Sequence, residues 1–418
     1  MKRSRLIRWL KRHTLLPMIL VIGCVFLFAA VDLHAARDDS KWELVDLEGD
    51  RRALEGIMIR GELRDAYHST SFSVATDGVS HKTELFEIYQ EDPRYMALSY
   101  RIIDDYIYKV WNFNDRTLIE RQSVSDPDHT KSVMIEGYYA ATDQRGNARY
   151  GNLVEYGLAS SGGRMYYVTP TSFYYRGINV IYRLNYESEM PTAEKLVELD
   201  MRGNNAEQSR GLEVLGLEAA GDRLLLIMSE DGERLIVRSY DSETGQMLGE
   251  AVVPGFQTSG HSTSYMVSTD PDGQTVSLVF PRHAEQLTEG KSSFTILSFD
   301  LSDGLRLIEE VRPVFEDGSW ESWISRAAVT HTGDKLVVAM TLRAAEEDNS
   351  PYPNYFVSSI RFMIYVFESG ELAYRGELLT DQNDDYIYTR NRQLDTRYSP
   401  NIYREFERLS IERIGRDG

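Results

Sequence analysis

A single cysteine, Cys24, is the whole thiol inventory of this 418-residue chain. An intramolecular disulfide is therefore impossible. Thiolate zinc sites and a thiol nucleophile outside the N-terminal apolar segment are excluded as well. A domain of this length can rely on its core instead of a crosslink. Histidine is scarce too, with eight residues: His13, His34, His68, His81, His129, His261, His283 and His331. None forms the H-E-x-x-H pair of a helical zinc protease. The chain also lacks a G-x-S-x-G elbow, a G-x-x-x-x-G-K-[ST] loop and a G-x-G-x-x-G turn after a strand. Serine hydrolysis, nucleotide hydrolysis and dinucleotide redox chemistry thus have no local support. A triad assembled from distant residues stays open, because triads are defined by geometry.

Positive charge is sparse beyond the first thirteen residues, which hold Lys2, Arg3, Arg5, Arg8, Lys11 and Arg12 and no acid. The remaining 40 basic residues face 65 acidic ones, a net of −25 for the rest of the chain. So acidic a surface repels phosphate backbones, and no nucleic-acid partner is expected. It suits a well-solvated surface, and it would attract cations or basic partners.

One long hydrophobic run is present. Leu15 to Val31, LLPMILVIGCVFLFAAV, contains no charge over 17 residues. At about 1.5 Å per residue, that is just enough to cross a hydrocarbon core. Trp9 sits where an interfacial aromatic belongs, the basic cluster precedes the run, and Asp32, Asp38 and Asp39 follow it. The positive-inside rule then predicts a cytoplasmic N-terminus and an extracytoplasmic bulk. The expected organisation is a basic cytoplasmic tail (1–13), a transmembrane anchor (14–31), a polar linker (32–41) and an extracytoplasmic domain (42–418). Two other readings of the run stay open. One is a cleaved signal peptide, although His34 fits poorly at the −3 position of a cut after Ala36. The other is a lipoprotein signal: Val21-Ile22-Gly23-Cys24 resembles the bacterial lipobox, although Val25-Phe26-Leu27-Phe28 stay apolar after the cysteine. All three place the bulk outside the cytoplasm, and the anchor reading keeps it at the cell membrane.

From Trp42 onward, long amphipathic helical patterns are nearly absent. Short apolar or alternating runs lie between Gly, Asp, Ser and Asn, as Leu224-Leu225-Leu226-Ile227 does after Gly221-Asp222. That texture predicts strands joined by turns. The runs repeat weakly. A glycine turn opens each first half at Gly163, Gly221, Gly273 and Gly333, with a β run behind it. The second halves are β runs at Val180–Leu184, Leu235–Asp241, Phe294–Asp300 and Phe362–Phe367, and Trp111-Asn112-Phe113-Asn114-Asp115 reads as an earlier copy. Two of the second halves end in Asp241-Ser242-Glu243-Thr244-Gly245 and Asp300-Leu301-Ser302-Asp303-Gly304, hairpin turns into an outer strand. A mostly apolar first run is expected of a strand buried on both faces, and a sheet of such strands must pack between like sheets around an axis.

These repeats resemble those of β-propellers. More loosely, the chain is similar to uncharacterised membrane-anchored, propeller-like extracytoplasmic proteins of Gram-positive bacteria. Visible repeats cover about residues 150–380. The resemblance implies an all-β fold, a β-propeller of about six to seven blades following a single N-terminal transmembrane helix. Two consecutive β-sandwich domains are the structural rival. The tail from Phe406 to Ile414 fits equally a strand that closes the ring or a short helix.

No residue is nominated as catalytic, cofactor-binding or metal-ligating, and no cofactor is expected. Asp381-Gln382-Asn383-Asp384-Asp385 starts like a calcium loop, but Tyr386 and Arg392 occupy the positions that need glycine and glutamate. Asp126-Pro127-Asp128 and Asp270-Pro271-Asp272-Gly273 read as Asx and proline turns. Glu316-Asp317-Gly318-Ser319-Trp320 matches part of a sialidase Asp-box and occurs once. The tyrosine pairs 138/139, 166/167 and 174/175 place adjacent rings on opposite strand faces, so no pair alone makes a stacking platform. The expected function is a non-catalytic binding or scaffolding module at the cell membrane, gripping a protein or a cell-wall polymer. The alternatives are a propeller-fold glycan lyase or hydrolase, whose paired carboxylates would converge on one mouth of a central channel, and an accessory subunit of a membrane complex.

Overall fold

A computed structural model describes residues 21–28, 40–64, 68–85, 100–113, 116–123, 126, 129–136, 141–142, 148–149, 154–172, 175–202, 211–256, 265–270, 273–281, 294–312, 323–332, 334–343, 360–382 and 405–414. Residues 21–28 are helical, with every side chain exposed. Among the described residues no helix is long and apolar enough to cross a membrane. Most of the expected span, Leu15–Val31, lies outside them.

The remainder is almost wholly β, as the turn-bounded apolar runs predict. Among the described residues six antiparallel sheets follow one another along the chain, each like a propeller blade, with a two-stranded ribbon at Ala141–Thr142 and Ala148–Arg149. Sheet 2 comprises Tyr100–Ile103, Tyr106–Asn112, Arg116–Ser123 and Thr130–Glu136. Sheet 3 comprises Leu158–Ser161, Arg164–Tyr167, Ile178–Asn185 and Thr192–Asp200. Sheet 4 is Leu212–Ala220, Arg223–Glu230, Arg234–Asp241 and Met247–Pro254, and sheet 5 is Met266–Thr269, Thr275–Pro281, Phe294–Asp300 and Arg306–Val311. In each, neighbours in sequence are neighbours in space. First strands lie against first strands of adjoining sheets, as Leu158–Ser161 does against Leu212–Ala220.

Sheets 1 and 6 are composite. Sheet 1 takes Ile57–Arg64, His68–Ala75 and Gly78–Leu85 from the start of the domain and its first strand, Glu405–Arg413, from the end. Sheet 6 takes Trp323–Thr332, Lys335–Arg343, Ile360–Glu368 and Glu371–Thr380, then a fifth, outermost strand, Trp42–Gly49. The tail is thus a strand, paired antiparallel with Ile57 opposite Arg413 and Arg64 opposite Glu405. Gly61 sits at the irregularity in this ladder, where a Cβ would lie 2.6 Å from the Phe72 ring and 2.7 Å from Leu409.

The predicted repeat maps onto this frame. The runs after Gly163, Gly221, Gly273 and Gly333 are the second strands of sheets 3 to 6, and the second halves are their third strands. Both hairpin turns lead into outer strands as expected: Asp241 accepts from Thr244 N at 2.7 Å, and Asp300 from Ser302 N at 2.9 Å. Trp111-Asn112 instead ends the second strand of sheet 2, so that copy stands one strand earlier than the repeat suggests. The shorter sheet-2 hairpin carries an acidic turn, Asp104-Asp105, before this strand, and the sequence shows one acidic turn as readily as the other.

Continuous apolar runs in sheets 3 to 6 arise because each middle strand there feeds two cores. Leu224, Leu226 and Met228 enter the core shared with sheet 3, while Leu225 and Ile227 enter the core shared with sheet 5. Leu336, Val338 and Met340 face sheet 5, and Val337 and Ala339 face sheet 1. Period-two alternation, which leaves one strand face wet in a two-layer sandwich, here buries both. Five such cores join sheets 2–3, 3–4, 4–5, 5–6 and 6–1 among the described residues. The 6–1 core holds an aromatic knot: Phe406 lies 5.1 Å from Phe362 and 5.7 Å from Phe72, and Trp42 stacks on Phe72 at 5.3 Å.

Phe406→Ala empties the point where both chain ends meet. It should cost about 3–5 kcal/mol in denaturant unfolding, the usual range for a buried phenylalanine, whereas Phe113→Ala, at an exposed position, should stay within about 0.5 kcal/mol.

Candidate functional site

Two places gather polar chemistry. The first is where first strands meet. Arg101, on the short first strand of sheet 2, donates from Nη1 to the Leu158 carbonyl of sheet 3 at 2.6 Å. Its Nη2 donates to Glu218 Oε2 of sheet 4 at 2.7 Å, and Nη1 lies 3.4 Å from Oε1. The Tyr265 hydroxyl, entering sheet 5, donates to the same Oε1 at 3.1 Å. One guanidinium–carboxylate fork therefore ties four successive sheets together. Gly216 permits it, since a Cβ there would fall 2.1 Å from the Tyr265 hydroxyl. Burial and the Glu218 charge together hold the Tyr265 phenol well above its ordinary range. Glu218 is fully engaged, so this cluster reads as a brace.

Glu213 lies on the same strand as Glu218 and is buried. Burial alone pushes its carboxyl up to about 7. The two carboxylates share one strand, with a backbone irregularity between Val214 and Gly216, so they are not a pair brought together from two sheets.

The second place is a cleft of about 520 Å³ between sheets 2 and 3. Tyr106, Tyr108 and Arg121 of sheet 2 face Arg164, Arg183 and Tyr186 of sheet 3 across it. The Arg121 guanidinium lies 4.4 Å from the Tyr106 ring centroid and 4.7 Å from that of Tyr186, a cation in contact with two aromatic rings. The Tyr186 hydroxyl donates to the Ile119 carbonyl at 3.2 Å and fixes that ring. Burial raises Tyr108 to about 12 and raises Tyr186 too, so both are neutral phenols at physiological pH. Arg183 donates from Nη2 to the carbonyls of Ser242, at 3.2 Å, and Glu243. Arg164 pairs with Glu243.

Sequence reasoning nominated none of these residues. Glu218 left a trace, as an acid inside the apolar strand LEVLGLEAA. Arg101, Glu218 and Tyr265 are otherwise joined only by topology, and so are Arg121 and Tyr186. The features the sequence does single out stay apart. Tyr166 and Tyr167 are buried and face opposite cores, as strand alternation requires. His81 stacks on Trp42 at 5.7 Å, while His331 lies 3.8 Å from Glu309, its pKa lowered by burial. Asp270 closes the expected turn through its carbonyl, which accepts from Gly273 N at 2.9 Å, while its carboxylate accepts from Gln274 N and Thr275 N at 2.8 and 2.9 Å, further along than an Asx turn reaches. Among the described residues no three His, Cys, Asp or Glu side chains converge as a metal would require. The Asp-box fragment, residues 383–385 of the acidic run, and Tyr138, Tyr139 and Tyr174 lie outside the described residues.

No known family matches the sequence, and no curated protein matches it. Solved structures do. Hydrazine synthase of Kuenenia stuttgartiensis is 11% identical, with a TM-score of 0.38, over 67% of this chain and 64% of that one. The chain thus spans just under two thirds of that protein's length. The periplasmic gluconolactonase of Pseudomonas aeruginosa is 12% identical over 77% and 99% of the two chains, with a TM-score of 0.33. The WD40 domain of SCAP from fission yeast is 11% identical over 76% and 71%, also at 0.33. Enzymes and a WD40 domain stand side by side at these low values, and none carries an argument about this chain's activity.

Glu213 gives the site a pH signature. Its folded-state pKa of about 7 exceeds the unfolded value, so the folded chain holds that proton more tightly. The associated stability is complete below about pH 4 and is lost as pH rises through 7. Glu213→Gln should match the parent near pH 4 and exceed it by roughly 3 kcal/mol at pH 8, at about 1.4 kcal/mol per pKa unit. Urea unfolding at the two pH values checks this, and equal midpoint differences at both would contradict it.

Proposed function

We propose that this chain is a closed, six-bladed propeller, held at the cell membrane by its N-terminal apolar segment, that serves as a non-catalytic extracytoplasmic binding or scaffolding module. The observation that carries the reading is the state of the carboxylate where the first strands meet. Glu218 is bound by Arg101 and Tyr265 across four sheets, and both of its oxygens are engaged. Glycoside cleavage by paired acids needs two carboxyl groups about 5–9.5 Å apart on either side of the scissile bond. The open cleft between sheets 2 and 3 is lined by residues that hold rather than react. Its phenols are neutral and its guanidiniums are fixed.

The tether has a defined entry point. Trp42 pairs with Thr380 at the end of the outer strand Glu371–Thr380, and Lys41 N donates to Asp381 at 3.0 Å. The cleft gathers around Gly163 and Asp104, in the turns between first and second strands, at the opposite end of the sheets. A tethered module of this shape presents the cleft away from the bilayer, toward a cell-wall polymer or a protein. The enzyme reading draws its one support from Glu213, a buried carboxyl with a pKa near neutrality.

Protease added to intact cells carrying the chain should cleave within residues 42–418. The full-length protein in lipid vesicles should leave glycans, peptides and phosphoesters unchanged while retaining a partner on crosslinking. Turnover of any of these compounds that Glu213→Gln abolishes would replace the binding module with an enzyme.

A further inference from the structure

We infer that the cleft between sheets 2 and 3 binds an acidic saccharide, a sugar bearing a carboxylate, with Arg121 as the group that grips the carboxylate. The inference rests on the binding-module reading and names its ligand class.

Arg121 is preorganised. Its guanidinium lies within cation–π distance of both Tyr106 and Tyr186, and only 14% of its side chain is exposed. Its edge carries the N–H donors in the planar fork that suits a carboxylate, one part hydrogen-bonded to Tyr108 and another turned to a charged group. The occupant of that edge in the structure is Glu187, 3.2 Å from Nη1. Glu187 is 85% exposed and stands beyond the end of strand Ile178–Asn185. A fixed cation is therefore countered by a side chain free to swing into solvent, and an incoming carboxylate can take its place. Arg183 repeats the pattern. Backbone carbonyls hold it, its Nε is buried without an acceptor among the described residues, and its acidic neighbour Glu194, at 3.6 Å, is 73% exposed.

The rest of the cleft selects the body of the ligand. A volume of about 520 Å³ suits a small ligand. Ser160, Asn185 and Thr192 add short polar groups beside the arginines, matched to sugar hydroxyls. Asp104 does the same as an acceptor. The net charge of −25 outside the N-terminal tail repels long polyanions. It tolerates a ligand with one or two charges, and so favours an acidic sugar over a strongly acidic peptide.

The test uses the full-length protein in detergent, titrated calorimetrically with a galacturonic acid disaccharide. A neutral disaccharide, a triglutamate peptide and inorganic phosphate are run in parallel. The uronate should bind at least tenfold tighter than the other three. Arg121→Lys keeps the charge but loses the fork and should weaken uronate binding about tenfold. Glu187→Gln, on an exposed side chain, removes the competing carboxylate and should tighten it about three- to tenfold. Equal binding of uronate and neutral sugar, preference for the peptide or phosphate, or no gain in Glu187→Gln would overturn the inference. Chromatography of the recovered disaccharide separates the two readings. Intact sugar supports both. Cleaved sugar sinks the non-catalytic reading and leaves the site. No binding in any arm sinks the site and leaves the module to its own crosslinking test.

Discussion

The pairing of Glu405–Arg413 with Ile57–Arg64 is the interaction on which the rest of the molecule depends. The middle strands of sheets 3 to 6 are apolar on both faces and are stable only with a sheet on either side. Four cores meet that demand between sequential sheets. Sheets 6 and 1, however, come from opposite ends of the domain, and no local connection brings them together. Exchanging terminal strands does so. The last strand becomes the first strand of sheet 1, and the first strand of the domain becomes the outermost of sheet 6. The aromatic knot of Trp42, Phe72, Phe362 and Phe406 is buried where these two exchanges meet.

The side-by-side packing of the sheets also positions the polar sites. With first strands held side by side, an arginine on one sheet can reach a carbonyl on the next and a carboxylate on the one after. The Arg101–Glu218–Tyr265 fork does this. Taken out of water, such a pair contributes little net stability but makes any misplacement of a sheet expensive. It therefore fixes the angles between sheets, while the apolar cores supply the driving force. The cleft follows from the same packing. It lies where the turn-bearing ends of sheets 2 and 3 diverge, and its rings and guanidiniums are anchored by the sheets behind them.

The strand texture was legible because it is local. Glycine and aspartate turns bracket apolar runs, and the second and third strands of sheets 3 to 6 can be read from residue order. The acidic hairpins Asp241–Gly245 and Asp300–Gly304 showed where outer strands begin. The closing tail was readable only as an even choice, because FERLSIERI alternates well enough for a strand and spaces its apolar residues well enough for a helix. The unpaired edge of Ile57–Arg64 decides it, and that is a non-local fact. The sites were not legible at all. Glu218 could be noticed as an acid in an apolar strand, but its partners lie 117 residues before and 47 after it. Arg121 looks like a surface arginine in RTLIERQS until Tyr186 is folded over it.

The register at the closing ladder is the sharpest point of contact with experiment. Arg60 and Ser410 are opposed across it, and both are exposed. In a chain with Cys24→Ser, the pair Arg60→Cys and Ser410→Cys should form an intramolecular disulfide under mild oxidation of the folded monomer, detected as a nonreducing mobility shift that reductant reverses. Failure to crosslink, or crosslinking only between molecules, would contradict closure of the fold by its own C-terminal strand.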